Sequence, residues 1–351
     1  MSQHIKPVWY IRLTQWEFWP FFMVYPFVMV YWLWCSLKAR SLFYFTAANP
    51  NIETGGIFGE SKSKILAQLP AHLQPAIVLV KARQNWHLTA QGIAQKGISY
   101  PLIAKPDVGC RGLLVQVIQN EAQLQAYLNK YPEMDVIVQA YVLHPIEAGI
   151  FCCVQPNSSS TTVVTSVTLK SFMSVTGDGK SNIRQLMANN IHTSMQLSRF
   201  ETHYPDVLAQ IPFDGQTILL EPVGNHCRGT KFINGNYLIT PQMHHAFTQI
   251  MQTLPGMYYV RFDLRCPSLD DLAAGRNLQI LEINGVGAEP AHIYQSGYPY
   301  WAAQRDLLYH WKLVYQIARH NHRSKAIPYY TFGELKKYWK TQKRYQSYAD
   351  K

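Results

Sequence analysis

The sequence predicts a mixed α/β (α+β) chain. Three observations carry that expectation. Short apolar or alternating runs recur between stretches of helical period. The runs YYVRFDL and LQILEIN flank a polar, turn-forming insert, which predicts an antiparallel strand pair. The strand-like run YPLIAK ends in a lysine and opens into a loop, PDVGCRG, that leads to another strand.

At 351 residues the chain is long enough for two or three lobes with substantial cores. Its net charge of +11 calls for an anionic partner, whether nucleotide phosphates, anionic lipid or nucleic acid, and charge alone does not choose among them. Cys35, Cys110, Cys152, Cys153, Cys227 and Cys266 show neither C-x-x-C spacing nor a paired framework. That pattern fits reduced thiols in a cytoplasm and disfavours structural zinc.

Residues 1–40 form an aromatic segment unlike the rest of the chain. Residues 18–37 carry no charge, and Lys38 and Arg40 follow. A helix of that length would just cross a bilayer's hydrocarbon core. Pro20 and Pro26 interrupt it, however, and its Trp and Tyr residues favour the headgroup level. No small-residue cleavage site follows, so no secretory signal is read. Three readings stay open: an interfacial or re-entrant anchor, a single span, and an aromatic helix buried against the protein. Membrane association through residues 1–40, on the cytoplasmic face, ranks ahead of burial, because cations flank the run.

Residues 41–99 read as a small N-terminal α/β lobe. A short strand in FYF runs into a glycine loop, and residues 60–69 read as a helix stopping before Pro70. Gly55, Gly56 and Gly59, followed by Ser61 and Lys62 at a helix start, could bind an anion through free backbone amides or simply form a tight turn. An apolar strand over 75–80 and a helix over 86–96 complete the lobe.

Residues 100–145 read as a first larger lobe with a glycine loop. Lys105 offers a mobile charge at a strand end, and the loop with Gly109 and Gly112 offers backbone amides and Arg111, a means of gripping phosphates. A bare hairpin would look the same. A helix over 120–130 and a strand over 136–142 follow, and 143–149, with His144, Pro145 and Glu147, reads as a hinge.

Residues 146–320 read as the second lobe. Two strands joined by QPNSSST span 150–170, and Lys170 at the end of the second could reach a phosphate or be a plain surface lysine. A Gly-Asp-Gly-Lys turn precedes a helix near Ser181. In EPVGNHCRGTKF, Asn225 and Arg228 could hold an acidic substrate, since guanidinium binds carboxylate through paired hydrogen bonds, or could mark a cation-rich surface turn. In 258–294, alternation places Arg261 with Asp263, and Glu282 with Asn284. Asp263, Glu282 and Asn284 are hard oxygen donors suited to Mg²⁺, though a solvated face with a salt bridge is the plainer alternative. Residues 301–319 have helical period, and 321–351 form a basic aromatic tail suited to an anionic membrane surface or a solvated helix.

The order strand, Lys105, glycine loop, strand, helix, strand, hinge and late acidic hairpin resembles the ATP-grasp superfamily over roughly residues 75–320. It looks most like the carboxylate-amine ligase branch of D-alanine-D-alanine ligase, glutathione synthetase and cyanophycin synthetase, and the TGDGKSNIRQL stretch is similar to a cyanophycin-synthetase-like segment. The resemblance implies an ATP-grasp fold clasping the nucleotide. Lys105 would then bind the α- and β-phosphates, and the loop from Asp107 to Gly112 would cover the triphosphate. Ala140, Tyr141 and Val142 would read adenine, and Glu147 the ribose. Asp263, Glu282 and Asn284 would hold one or two Mg²⁺ ions, or Mn²⁺ in their place. Arg261 would stabilise the tetrahedral intermediate. Two departures stand out: Gln139 replaces the family's hinge acid, and Glu147 lies about one residue too far from it. A second phosphate lysine is expected before the loop, with Lys81 and Lys96 as candidates.

The resemblance implies an ATP-dependent ligase that joins a small-molecule carboxylate to an amine (or thiol) through an acyl phosphate, with Lys105 and Arg261 as its catalytic residues. Gly285, Glu289 and His292 would lie where the amine enters. Two alternatives use the same fold, a phosphotransferase and a membrane-associated nucleotide sensor. No nucleic-acid partner is expected, because no recognisable module accompanies the charge.

Overall fold

The computed structural model describes residues 8–109, 112–155, 161–222, 224 and 228–348. Two antiparallel sheets form its frame. Strands β1 (Ile77–Val80), β2 (Leu102–Pro106), β3 (Gln116–Ile118) and β4 (Val136–Ala140) make a four-stranded sheet in the order β1-β4-β2-β3. Strands β5 (Ile146–Val154), β6 (Thr162–Ser171), β9 (Lys231–Asn234), β10 (Tyr259–Cys266) and β11 (Gln279–Asn284) make a five-stranded sheet in the order β11-β10-β5-β6-β9. Between them in sequence, β7 (Met173–Thr176) and β8 (Thr217–Glu221) pair alone. Because β1 bonds to β4, residues 41–99 build no separate sheet.

Period-two alternation explains why these segments are strands and what each face does. Along β10, Val260, Phe262, Leu264 and Cys266 enter the main apolar core, which leaves Arg261, Asp263 and Arg265 on the opposite face. Along β5, Ala148, Ile150 and Cys152 enter that core while Phe151 and Cys153 enter a second one. In the four-stranded sheet, Leu102, Ala104, Val136 and Val138 face a third core, and so Lys105 and Gln139 are turned toward the other sheet.

Helices cover the outer faces. The N-terminal segment contains α1 (Val8–Thr14), α2 (Phe21–Val24) and α3 (Pro26–Ala39). Helix α4 (Lys62–Leu66) packs with α11 (Pro241–Gln252) and α12 (Leu269–Ala274) on the main core. Helices α5 (Trp86–Gln95) and α6 (Glu121–Lys130) cover the four-stranded sheet, and α7 (Ile183–Ala188), α8 (Ile191–Ser194), α9 (Leu197–His203) and α10 (Pro205–Leu208) gather around β7 and β8. Helix α13 (Tyr300–Ser324) buries Leu313, Val314, Ile317 and Ala318 against Phe151 and Tyr259. The basic tail forms α14 (Phe332–Ser347), which inserts Tyr345 into the third core.

Several expectations change here. Residues 44–48 are a 3-10 turn instead of a strand, closed by the Thr46 hydroxyl donating to the Phe43 carbonyl, with Tyr44 fully buried. The Asn49 side chain then ties this segment to β10: it accepts from the backbone N–H groups of Tyr258 and Tyr259 and donates to the Tyr259 carbonyl. The stretch 143–149, read as a hinge, is partly strand, since β5 begins at Ile146 and carries Glu147. The insert between β10 and β11 contains α12, capped by the Ser268 side chain.

The N-terminal run is broken where its prolines fall, with Pro20 before α2 and Pro26 opening α3. No helix among the described residues is long and apolar enough to cross a membrane, and this corrects the single-span alternative. Instead Val24, Tyr25 and Val28 pack on Ile293, Ala303 and Leu307, and Trp16 donates its indole N–H to the Tyr298 carbonyl at 2.6 Å.

Candidate functional site

The cleft lies between the inward faces of the two sheets. On its floor, β10 and β11 are paired so that Arg261 faces Asn284 and Asp263 faces Glu282. All four side chains therefore share one face, as alternation required. Arg261 grips Asp263 through two parallel bonds, Nε to Oδ1 and a terminal nitrogen to Oδ2, each 3.0 Å, and donates to the Glu289 carbonyl at 3.2 Å. The Asn284 amide donates to Asp263 Oδ2 at 3.4 Å.

Lys105 enters from β2. Its ammonium donates to Gln139 Oε1 at 2.9 Å and to the Leu281 carbonyl of β11 at 3.0 Å, so one buried cation joins the two sheets. Burial lowers its pKa to about 8, because Glu282 and Asp263 only partly offset the loss of water. Gln139, read as a hinge residue, thus also holds Lys105.

The second cation is Lys62, at the start of α4. It reaches Glu282 at 2.6 Å. Burial disfavours the Glu282 carboxylate, yet Lys62 and Lys105 outweigh that cost and hold its pKa well below the usual range. The proposed candidates for this role are corrected: Lys81 pairs with Asp135 at 2.9 Å and Lys96 is an exposed residue capping α5. The glycine loop and helix start marked Lys62 as an anion contact, but no local pattern marked Glu282, 220 residues away, as its partner.

At the other end the cleft is lined by Ile103, Ala140, Tyr141, Val142, Glu147, Lys170 and Arg265, around a cavity of about 150 Å³. Glu147 is buried and bonded on both sides, to Lys170 at 3.0 Å and to Arg265 at 2.8 Å. Lys170 also approaches Asp263 at 3.8 Å, and the two carboxylates outweigh burial to raise its pKa. Arg265 was missed by sequence reasoning. It donates to the Val142 carbonyl at 2.7 Å and lies over the rings of Tyr141 and Phe172, closing the hinge end of the cavity. Its alternation with Arg261 and Asp263 was the available signal.

The glycine loop is described at Gly109 and again from Gly112, which lines the cleft. Arg111 and Asn225 lie outside the described residues. The Asp107 carboxylate accepts from the Ser61 hydroxyl at 2.7 Å and from the Ser63 amide at 2.8 Å. It therefore straps the start of α4, and the Ser63 amide is not free for an anion. The Gly55 and Gly56 amides are likewise used, by Ile52 and Glu53 carbonyls. Arg228 donates to the Val115 carbonyl at 3.4 Å, which links the second lobe to the residues just after the loop.

The far edge also differs from expectation. Gly285 is buried against Gly56, where a Cβ on Gly56 would come within 2.6 Å of the Gly285 Cα; it is a close backbone crossing, not an open contact. The following amides of Val286 and Gly287 donate to the Gly55 and Gly56 carbonyls. Glu289 receives hydroxyls from Tyr25 and Tyr294, and burial pushes its pKa up to about 7 despite the Tyr294 bond. His292 is corrected from substrate contact to a buried link between Ser166 and Asp306.

The donor set fits a hard divalent cation. Asp263 and Glu282 face each other in register with Asn284 beside them, and Mg²⁺ is commonly held by one or two carboxylates plus substrate phosphates. Among the described residues no three His, Cys, Asp or Glu side chains converge as a ligand group, so such an ion would draw on ligands beyond the protein.

No family model matches the sequence, and no curated protein matches it. Solved structures similar to the chain include a bifunctional glutathione synthetase from Pasteurella multocida, 16% identical over 70% of this chain and 35% of that one, with a TM-score of 0.37. D-alanine–D-alanine ligase from Bacillus anthracis complexed with ATP is 12% identical over 75% of this chain and 66% of that one, with a TM-score of 0.42. VanG D-Ala:D-Ser ligase from Enterococcus faecalis is 12% identical over 73% and 62%, with a TM-score of 0.41. The chain spans about a third of the glutathione synthetase and just under two thirds of each ligase. The chain itself is a mixed α/β protein.

Proposed function

We propose that the chain is an ATP-dependent ligase that joins a carboxylate to an amine, or to a thiol, through an acyl phosphate. The observation that carries this reading is Lys105, a buried cation that joins the two sheets through Gln139 and the carbonyl of Leu281, the residue next to Glu282, which faces Asp263. A nucleotide's polyphosphate is the ligand that such a cation and such an oxygen set would share.

In this scheme Lys105 and Lys62 draw the phosphate oxygens into the cleft, and the backbone around Gly112 covers them. Asp263, Glu282 and Asn284 would hold Mg²⁺, one or two ions, or Mn²⁺ in its place, which when bound would neutralise phosphate charge. Ala140, Tyr141 and Val142 line the end where the base would lie, with Arg265 now a further determinant there. A substrate carboxylate takes the γ-phosphoryl group, and the amine then displaces phosphate from the acyl carbon. Arg261, already fixed by Asp263, faces the negative charge that develops at that carbon. No nucleophilic Ser, Cys or His is needed. Residues 1–40 would bring the enzyme to the cytoplasmic face of an anionic membrane as a peripheral contact.

The test is ADP release with mixed carboxylates and amino acids, with hydroxylamine as the trapping amine. Hydroxamate is expected for a ligase, whereas ADP without hydroxamate would indicate phosphoryl transfer. Glu282→Ala should abolish turnover with circular dichroism unchanged; full activity in that variant would remove the metal assignment.

A further inference from the structure

Helix α3 is apolar on all sides but packed on only one. Val28 and Cys35 are buried, whereas Phe27, Val30, Leu33, Trp34 and Leu37 on the opposite side are exposed, Val30 by 69% and Leu37 by 74%. A helix apolar all round is normally enclosed, so this outer side lacks its partner. The apolar surface continues on to α13 through Trp301, whose ring lies beside Phe27, and Phe22 of the preceding helix is itself exposed by 75%. Contiguous exposed apolar surface of this kind marks an interaction site on a protein.

Charge indicates what covers it. Lys38 lies over the Trp34 ring at 4.6 Å, and Arg40 ends the helix in the left-handed conformation. A second copy would bring these cations, on a chain of net charge +11, toward one another. Anionic lipid headgroups would instead meet them while acyl chains took up the apolar row, and Trp side chains favour that boundary.

We infer that the outer face of α3, from Phe27 to Leu37 with Phe22 and Trp301, lies on the surface of an anionic bilayer. The helix rests in the interface plane, with its inner face still locked on α13. This rests on the proposal that residues 1–40 attach to a membrane and is independent of the ligase chemistry.

The test is cosedimentation of the full chain with vesicles of phosphatidylglycerol and phosphatidylcholine, compared with phosphatidylcholine alone. Binding to the anionic vesicles is expected. The double variant Val30→Ser/Leu37→Ser should weaken it at least roughly tenfold, since membrane affinity scales with buried apolar area. Both residues are exposed, so circular dichroism should not change. Equal binding by the variant would overturn this surface while leaving membrane attachment standing. Failure of the wild type to bind would overturn both. Self-association of the wild type without vesicles, lost in the variant and accompanied by no vesicle binding, would make the face a contact between copies and overturn the inference.

Discussion

Lys62 holds its ammonium nitrogen 2.6 Å from Oε1 of Glu282, the residue that faces Asp263 across the strand pair. A cation already sits on the carboxylate that a metal would need, so metal binding and the Lys62 contact compete. In the Lys62→Met variant, nucleotide-free protein should bind Mn²⁺ about tenfold more tightly, or ~1.4 kcal/mol, while ATP binds more weakly. Electron paramagnetic titration of Mn²⁺ reads the first effect and calorimetry the second. Weaker Mn²⁺ binding in the variant would contradict the competition.

Lys105 gives a pH dependence with a definite sign. Its pKa in the folded chain is about 8, and phosphate beside it would raise that value. ATP affinity should therefore be highest below pH 8 and fall above it, with proton uptake on binding near pH 8.5. Calorimetry in two buffers of different ionisation enthalpy measures the uptake, which should vanish in Lys105→Arg because guanidinium stays charged. The same depressed value means the unfolded chain binds more protons between about pH 8 and 10.5, so this group adds stability as pH rises through that window.

Glu289 behaves in the opposite sense. Burial raises its folded pKa from 4.5 to about 7, so the unfolded chain loses the proton first. The stabilisation is complete below pH 4.5 and is lost as pH rises to about 7, by a few kcal/mol at most. Urea melts of the wild type and Glu289→Gln at pH 5 and 7.5 should show this slope in the wild type alone.

Asp107 separates a strap from a phosphate ligand. Asp107→Ala removes the acceptor of the Ser61 hydroxyl and the Ser63 amide, a loss of ~1–3 kcal/mol for buried donors. Denaturation midpoints should fall accordingly, with ATP affinity changed much less than in Lys105→Arg. Unchanged stability with a large loss of ATP affinity would restore the phosphate role.

What the sequence made legible follows local periodicity. Alternation in YVRFDLRC and QILEIN was enough to place Arg261, Asp263, Glu282 and Asn284 on one face, because a strand has only two faces. The lysine at a strand end before a glycine loop likewise singled out Lys105. Contacts set by distant segments were not legible. Lys62 to Glu282, Arg265 to Val142 and Gly56 to Gly285 depend on how lobes meet, and no spacing encodes them. Residues 18–37 left the readings open for a related reason. Uncharged composition is shared by a span, an interfacial helix and a helix packed on its own protein, and the packing of one face on Ala303 and Leu307 depends on residues far down the chain.

The docking of Val28 on Ala303 and Leu307 has a consequence for synthesis. The aromatic segment leaves the ribosome well before α13, which receives it. At about 5–20 residues per second, the inner face of α3 waits roughly a quarter of a minute to a minute before its partner exists. During that interval both of its faces are uncovered. A nascent chain in this state is a natural client for a holding chaperone, and slowing elongation should increase its aggregation.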